Sequence, residues 1–379
     1  MLPFNQLSIW ELEIYFRNID FLILGSGIVG LSTALELKKK APKSKIVILE
    51  RGYLPTGAST KNAGFACFGG ASEIVDDLSQ IDENTVVKTL KYRWEGLSIL
   101  RKRLGDNNIE FDPCGSVDLF RSFEREEYIK VENKIPFLNK LVGEVTQIKG
   151  DIYSIKQNNF GFGDIPHLIE NKYDGKINTG KMMKSLVELT ISEGIIILNG
   201  IDVQNVNFSG RSKQLITNFG AIAAKNILFC TNGLSKKFFP NIDIQPARAQ
   251  VILTAPIPNL SWNGTFHYDK GYYYFRNIGN RILLGGARNK DKVGETTEEI
   301  TTTNFIIDEL KLMLHEVVLP NTKVEIEHQW AGIMGVGNEK NPIVSMLEKN
   351  IFCAIRLGGM GVAMGSKVGE NLANLVLES

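Results

Sequence analysis

The chain has 379 residues, which allows two or three domains and a large core. Hydrophobic residues make up 43% and charged residues 22%, which excludes a collagen, a long coiled coil and wholesale disorder. Lys and Arg total 43 against 42 Asp and Glu, a net charge of +1, so the global charge gives no reason to expect nucleic acid or an anionic membrane as a partner. Glycine is the one excess, at 36 residues.

The first residues, Met1 to Arg17, carry Glu11 and Glu13 and lack the basic region and apolar stretch of a secretory signal. No run reaches the roughly 18 apolar residues of a membrane span, so no span and a cytoplasmic location are expected. Asp20 to Gly25 reads as a buried strand, Ile28 to Lys40 as a helix stopped by Pro42, and Lys45 to Glu50 as a second buried strand. Strand, helix and strand in about 30 residues make a βαβ unit and predict an α/β fold. Arg51 to Gly70 is a long glycine-rich loop, a feature usually tied to function. Residues 73 to 104 look helical and end at Gly105.

From Ile109 the texture changes. Val117 to Arg121 alternates, Glu124 to Asn133 reads as a charged surface helix, and strand-like segments run on to about residue 165. Asn178 opens another helix, closed by Gly194. Ile195–Leu198, Val203–Phe208 and Leu215–Phe219 read as strands, and Asn226 to Gly233 as a buried strand ending in a polar turn. Beyond Pro246, Val251–Thr254, Tyr272–Arg276 and Arg281–Gly285 look antiparallel, the last two joined at Asn280. Asn304 to Glu316 reads as a helix capped by Thr303. Asn350 to Ile355 is a final strand, followed by a glycine cluster and a helix. The four cysteines (Cys67, Cys114, Cys230, Cys353) are widely spaced, so free thiols are expected and no metal site.

Gly25-Ser26-Gly27-Ile28-Val29-Gly30 is a GxGxxG turn in its full context: a strand before it, a helix after it, and Glu50 at the end of the second strand. Gly25 makes the tight turn, Gly27 lets backbone approach a pyrophosphate, and Gly30 lets helix and strand pack closely. The helix N-terminus aims free N–H groups and its dipole at phosphates. Glu50 is placed to accept from a ribose diol and would repel a 2′-phosphate, so FAD or NAD is indicated. A second cluster, Leu357-Gly358-Gly359-Met360-Gly361-Val362, follows an apolar strand and opens the last helix. Its N–H groups suit the flavin N1–C2=O region, which favours FAD.

With Arg51 after Glu50, the loop Gly57-Ala-Ser59-Thr60-Lys61-Asn62-Ala-Gly64, Cys230-Thr231-Asn-Gly233, Pro246 to Gln250, Gly271 to Arg276, Trp330-Ala-Gly332 and the final glycine cluster, the whole chain resembles the FAD-dependent amino-acid oxidase/dehydrogenase superfamily. This superfamily includes D-amino-acid oxidase, glycine oxidase and sarcosine oxidase. The resemblance implies a Rossmann-like FAD domain assembled from residues 1–84, 166–240 and 332–379. It also implies an α+β substrate domain on an antiparallel sheet, from 85–165 and 241–331. It places Ser59, Thr60, Lys61 and Asn62 along the FAD pyrophosphate and flavin, and the Val203 backbone at the adenine. On residue chemistry alone the same loop suits a capped turn equally well.

The family pattern breaks at the substrate. Met334 and Gly359 stand where glycine-oxidase-like members carry carboxylate-binding arginines, and Met cannot hold a carboxylate. Arg276 and Arg356 are the candidate substitutes, with structural salt bridges as the competing reading. Tyr272 and Tyr274 share a strand face by period two and either line the substrate site or pack. No Lys lies in Ile282–Gly285 to activate oxygen, and no Cys lies near Met334 to tether flavin, so non-covalent FAD and a dehydrogenase are expected. His267 and His328 read as structural rather than as bases. The expected activity is oxidation of a C–N bond of an amino acid or secondary amine by hydride transfer to flavin N5, with oxygen or a carrier as acceptor. Oxidation of a 2-hydroxy acid and a weakly active FAD-binding subunit are the alternatives.

Overall fold

The computed structural model describes residues 6–208 and 213–379. Residues 1–5 of the Met1–Arg17 stretch, and 209–212 within the segment 166–240, lie outside the described residues. A short helix, α1 (Ile9–Glu11), closed by a reciprocal Ser8–Glu11 capping box, precedes strand β1 (Ile19–Leu24). Helix α2 (Ile28–Lys40) and strand β2 (Ile46–Glu50) complete the expected βαβ unit. The long loop holds a helical turn, α3 (Ala58–Lys61), and a two-residue strand, β3 (Phe65–Ala66). The helix foreseen over 73–104 is two helices, α4 (Ala71–Gln80) and α5 (Glu83–Leu104). They break at Asp82, whose carboxylate caps α5 by accepting from Thr85 N at 3.0 Å.

After α6 (Asp106–Ile109) come β4 (Ser116–Phe120), α7 (Arg125–Glu132) and α8 (Ile135–Thr146). Helix α8 replaces an expected strand-like segment. Its apolar residues recur at helical spacing and bury Leu138, Leu141 and Val142. Strands β5 (Tyr153–Lys156), β6 (His167–Asn171) and β7 (Gly175–Lys176) lead to α9 (Thr179–Ser192), capped by Asn178. Then follow β8 (Ile196–Asn199), β9 (Val203–Asn207), β10 (Lys213–Thr217), β11 (Ala221–Phe229) and β12 (Gln245–Thr254). Strands β13 (Thr265–Tyr268), β14 (Tyr273–Ile278) and β15 (Arg281–Gly286) precede α10 (Asn304–Met313). The Thr303 hydroxyl does not cap α10; it accepts from Gln250 Nε2 at 2.9 Å. The chain ends with β16 (Ile326–Val336), β17 (Ile343–Glu348), β18 (Ile351–Ile355) and α11 (Gly361–Glu378).

Two sheets result. The first runs β17-β18-β11-β1-β2-β8, parallel from β18 to β8, with β9 and β10 added to β11. The second runs β16-β12-β15-β14-β13-β4-β6-β5 and is antiparallel except between β13 and β4. β6 and residues 332–336 of β16 pair in the second sheet, although the expected FAD segments begin at 166 and 332. Helix α5, placed with the substrate domain from sequence, packs on α11. A Cβ on Gly96 of α5 would collide with the Ala363 carbonyl and lie 2.8 Å from Met364 Cα, so only glycine allows this approach.

Two carboxyls are buried where the second sheet meets α4. Asp118 accepts from Ser72 N at 2.8 Å, at the α4 N-terminus. Asp174 accepts from Phe68 N at 2.8 Å and Ser116 Oγ at 2.6 Å. Burial nevertheless pushes them up to about 6 and about 7.

Gly96→Ala is expected to lower unfolding free energy by about 1–3 kcal/mol in a urea titration; an unchanged midpoint contradicts the α5–α11 packing. The raised carboxyl of Asp174 supports folding below the unfolded value near 4, and that support is lost as pH rises to about 7. Unfolding free energy should therefore drop less from pH 5 to pH 8 in Asp174→Asn than in the parent. Equal drops contradict the assignment.

Candidate functional site

The β1–α2 turn is built on close backbone approaches. Gly25 has φ +97°, and a Cβ there would sit 2.9 Å from the Cys230 carbonyl of β11's following turn. A Cβ on Gly30 would collide with the Gly25 carbonyl. Gly27 makes room for a neighbour as well as for a ligand: its Cβ would meet Ser59 Oγ at 2.9 Å. That hydroxyl accepts from Ile28 N at 3.0 Å, so Ser59 occupies one of the free donors at the α2 N-terminus. Glu50 is buried at the end of β2. It accepts from Ser26 N and Oγ (3.2 and 2.6 Å) and from Gly52 N at 3.0 Å. Arg51 is exposed.

Residues 57–66 run between the two sheets. Asn62 folds this loop on itself: Nδ2 donates to Ser59 O at 2.9 Å, and Oδ1 accepts from Gly64 N and Thr179 Oγ1, each at 2.9 Å. Thr60 Oγ1 donates to Gly57 O at 3.1 Å. For Thr60 and Asn62 the capped-turn reading describes the side chains. Lys61 O accepts from Trp330 Nε1 at 2.9 Å, and the Lys61 stem lies over Gly332, where a Cβ would come within 2.6 Å of Lys61 Cβ.

The second glycine cluster opens α11, the helix that packs on α2. Gly358 (φ +55°) and Gly359 (φ +87°) turn the chain from β18 into α11, and the space beside Gly358 is open to 4 Å. A Cβ on Gly359 would lie 3.0 Å from Met334 Sδ. Met360 is the N-cap of α11, and Val362 is buried in its first turn. Asn232, which sequence reasoning passed over, positions this entry: its Oδ1 accepts from Arg356 N at 3.0 Å. Thr231 bonds to Ser235 Oγ at 2.7 Å. Gly233 lets its turn pack on Pro246 and the Met334 carbonyl. Val203 is buried on β9, its carbonyl accepting from Lys237 Nζ at 3.2 Å.

Strand register lines up one face of the second sheet. Trp330, Val251, Gly285, Tyr274, His267 and Asp118 stand opposite one another from strand to strand. Gly285 leaves space for the Tyr274 ring, whose atoms lie 2.6–2.7 Å from its would-be Cβ. Phe65, which no sequence motif marked, meets this row from the loop, at 5.1 Å from His267 and 5.6 Å from Tyr274. Ala63, Phe65, Val251, Leu253, Leu283, Tyr274 and Trp330 form one apolar cluster. Tyr272 precedes β14 and is not in its ladder, so the expected pairing of Tyr272 and Tyr274 on a strand face keeps only Tyr274.

His267 differs from a hydrogen-bonded structural histidine. Its Nδ1 is buried without a hydrogen-bond partner, 3.8 Å from Asp118 Oδ1. Burial pulls it down to about 4, so the ring is neutral at pH 7. His328 stacks on Trp330 at 5.5 Å. The two candidate arginines are engaged. Arg276 Nη1 donates to the carbonyls of Ala63, Gly64 and Ile177 at 3.3, 2.9 and 2.7 Å. Arg356 pairs with Asp243 and with Glu339, the latter at 3.1 Å. All four cysteines are free.

These residues fit a dinucleotide with a flavin: a glycine turn at a helix N-terminus, a buried carboxylate beyond the second strand, and a second glycine helix entry beside an aromatic face. Among the described residues, no helix is long and apolar enough to cross a membrane, and no group of three or more His, Cys, Asp or Glu is placed to hold a metal.

Comparison with known proteins agrees with this geometry. A family model described as FAD dependent oxidoreductase matches residues 20–375. A probable oxidoreductase OrdL of Haemophilus influenzae is 23% identical, over 95% of this chain and 83% of its own length. A glycine oxidase structure from Geobacillus kaustophilus superposes with TM-score 0.76 at 18% identity, covering 96% of this chain and 95% of its own. An L-proline dehydrogenase structure from P. horikoshii gives 0.74 at 18% identity, covering 95% and 94%. With the family model spanning nearly the whole chain, this protein belongs to the FAD-dependent oxidoreductase family and is an FAD-dependent enzyme.

Proposed function

We propose that the enzyme oxidises a C–N bond of an amino acid or secondary amine. The observation that carries this reading is the aromatic row Trp330–Tyr274–His267, joined by the loop of Ser59, Lys61 and Phe65 to the first glycine turn, with Met334 of the Trp330 strand at the second. Similar folds include structures titled glycine oxidase, L-proline dehydrogenase and iminodiacetate oxidase.

In this reading Gly25, Ser26, Gly27, Ile28 and Gly30 hold the pyrophosphate against α2, and Glu50 holds a ribose diol. Gly358, Gly359, Met360, Gly361 and Val362 turn the α11 N-terminus towards the flavin. When bound, FAD would supply the two-electron, hydride-accepting chemistry. The protein's part is to bind, orient and exclude water. The apolar cluster around Tyr274 and Trp330 favours a neutral amine with its Cα–H aligned. As that C–H pair leaves as hydride, the nitrogen lone pair forms the C=N bond. Water then converts the imine to carbonyl and amine. His267, neutral and with a buried, unpartnered Nδ1, is available as a hydrogen-bonding group rather than a cation. FAD is non-covalent, the substrate is a small molecule, and the absence of Lys from β15 favours passage of electrons to a carrier over oxygen.

C–O oxidation is the second reading, because an FAD-bound L-α-glycerophosphate oxidase from Mycoplasma pneumoniae shares the fold, with TM-score 0.71 at 15% identity. Anaerobic loss of absorbance near 450 nm with D-amino acids or N-methyl amino acids, and none with 2-hydroxy acids, is the expected result. Bleaching by hydroxy acids alone overturns the amine reading. Bleaching by neither class, with a co-purifying partner, favours an FAD-binding subunit. After acid precipitation the flavin is expected in the supernatant; a yellow pellet contradicts non-covalent binding.

A further inference from the structure

We infer that Lys61 is the anchor for an anionic group of the substrate, a carboxylate carried by the amine; this rests on the amine reading above. Four arginines and two lysines on the elements around the aromatic face are all engaged. Arg276 is held by three backbone carbonyls, Arg356 by Asp243 and Glu339, and Arg93 by Glu73. Arg248 pairs with the buried Glu295, Lys176 with Asn263 and Asn277, and Lys340 with Asp77. Lys61 has no ion pair or side-chain hydrogen bond among the described residues, and it is half-buried.

Its position is fixed from both ends. The backbone carbonyl is tied to the Trp330 indole, and the stem crosses β16 at Gly332, the residue between Trp330 and Met334 on that strand face. Met334 lies at Gly359, beside the α11 entry. The lysine stem is therefore held two residues along β16 from Met334, where an arginine is missing, and it comes from the loop instead of the strand. Gly332 is what admits it: any side chain there would displace the lysine stem. A compact ammonium partly removed from water binds a carboxylate as a point charge, without the bidentate fork of arginine. This predicts a substrate with a carboxylate near the oxidised C–N bond and tolerance of varied carboxylate orientation.

The test uses the FAD-loaded full chain and two probes of one shape, benzoate and benzamide, titrated against the flavin spectrum. Benzoate is expected to bind the parent at least about 10-fold more tightly than benzamide. Lys61→Met, titrated as FAD-saturated protein, should weaken benzoate about 10- to 100-fold while benzamide stays within a few-fold of the parent. Lys61→Arg should keep benzoate within a few-fold of the parent. Unchanged benzoate binding in Lys61→Met, or a parallel shift for benzamide, overturns the assignment. If these titrations come out as expected while no amine bleaches the flavin, the amine reading fails and the anion anchor stands.

Discussion

The Arg276 guanidinium, buried and bonded to the carbonyls of Ala63, Gly64 and Ile177, holds the site in register. It projects from the second sheet and closes on the loop that crosses to the first. Burial pulls its pKa down, yet the charge is kept because three carbonyl dipoles replace water. With the loop fixed there, Ser59 reaches the α2 N-terminus, Lys61 reaches Gly332, and Phe65 reaches Tyr274 and His267. A residue that looked like a substrate cation spends its hydrogen bonds on backbone carbonyls and clamps the loop.

The glycine excess has a matching physical explanation. Gly30, Gly96, Gly233, Gly285 and Gly332 each sit where a Cβ would meet backbone or a specific side chain. Two of these approaches make the cofactor turn and the α5–α11 contact. Gly285 and Gly332 instead admit Tyr274 and Lys61 to the face of the second sheet. The same residue type therefore shapes the β1–α2 turn and the aromatic face of the second sheet, by omission of side chains.

The βαβ unit, the GxGxxG turn, Glu50 and the final glycine helix were legible from sequence because their chemistry is local: a short apolar run, a turn, a helix start. The aromatic face of the second sheet was not, because it is a cross-strand row. Trp330, Val251, Tyr274 and His267 are brought together only by register, and no spacing along the chain encodes that. Phe65 carried no signal for the same reason. Helix α8 was missed because its apolar residues, read in short windows, look like strand. The expected boundary at 332 falls within β16, and β6 lies inside an expected FAD segment though it pairs in the second sheet, since pairing partners far along the chain decide which sheet a strand joins. The loop residues Thr60 and Asn62 illustrate a real ambiguity: the hydroxyls and amides that suit a flavin edge also suit a capped turn, and here they cap.

The central claim is that one clamped loop ties the first glycine turn to the aromatic face of the second sheet. FAD titration of the flavin-free Arg276→Gln protein, followed by flavin fluorescence, tests it most directly, with circular dichroism as the check on folding. The account predicts a folded protein whose affinity for FAD falls at least about 10-fold, because three buried carbonyls lose their charged donor and the loop moves off α2. A folded Arg276→Gln protein that binds FAD as tightly as the parent would contradict it.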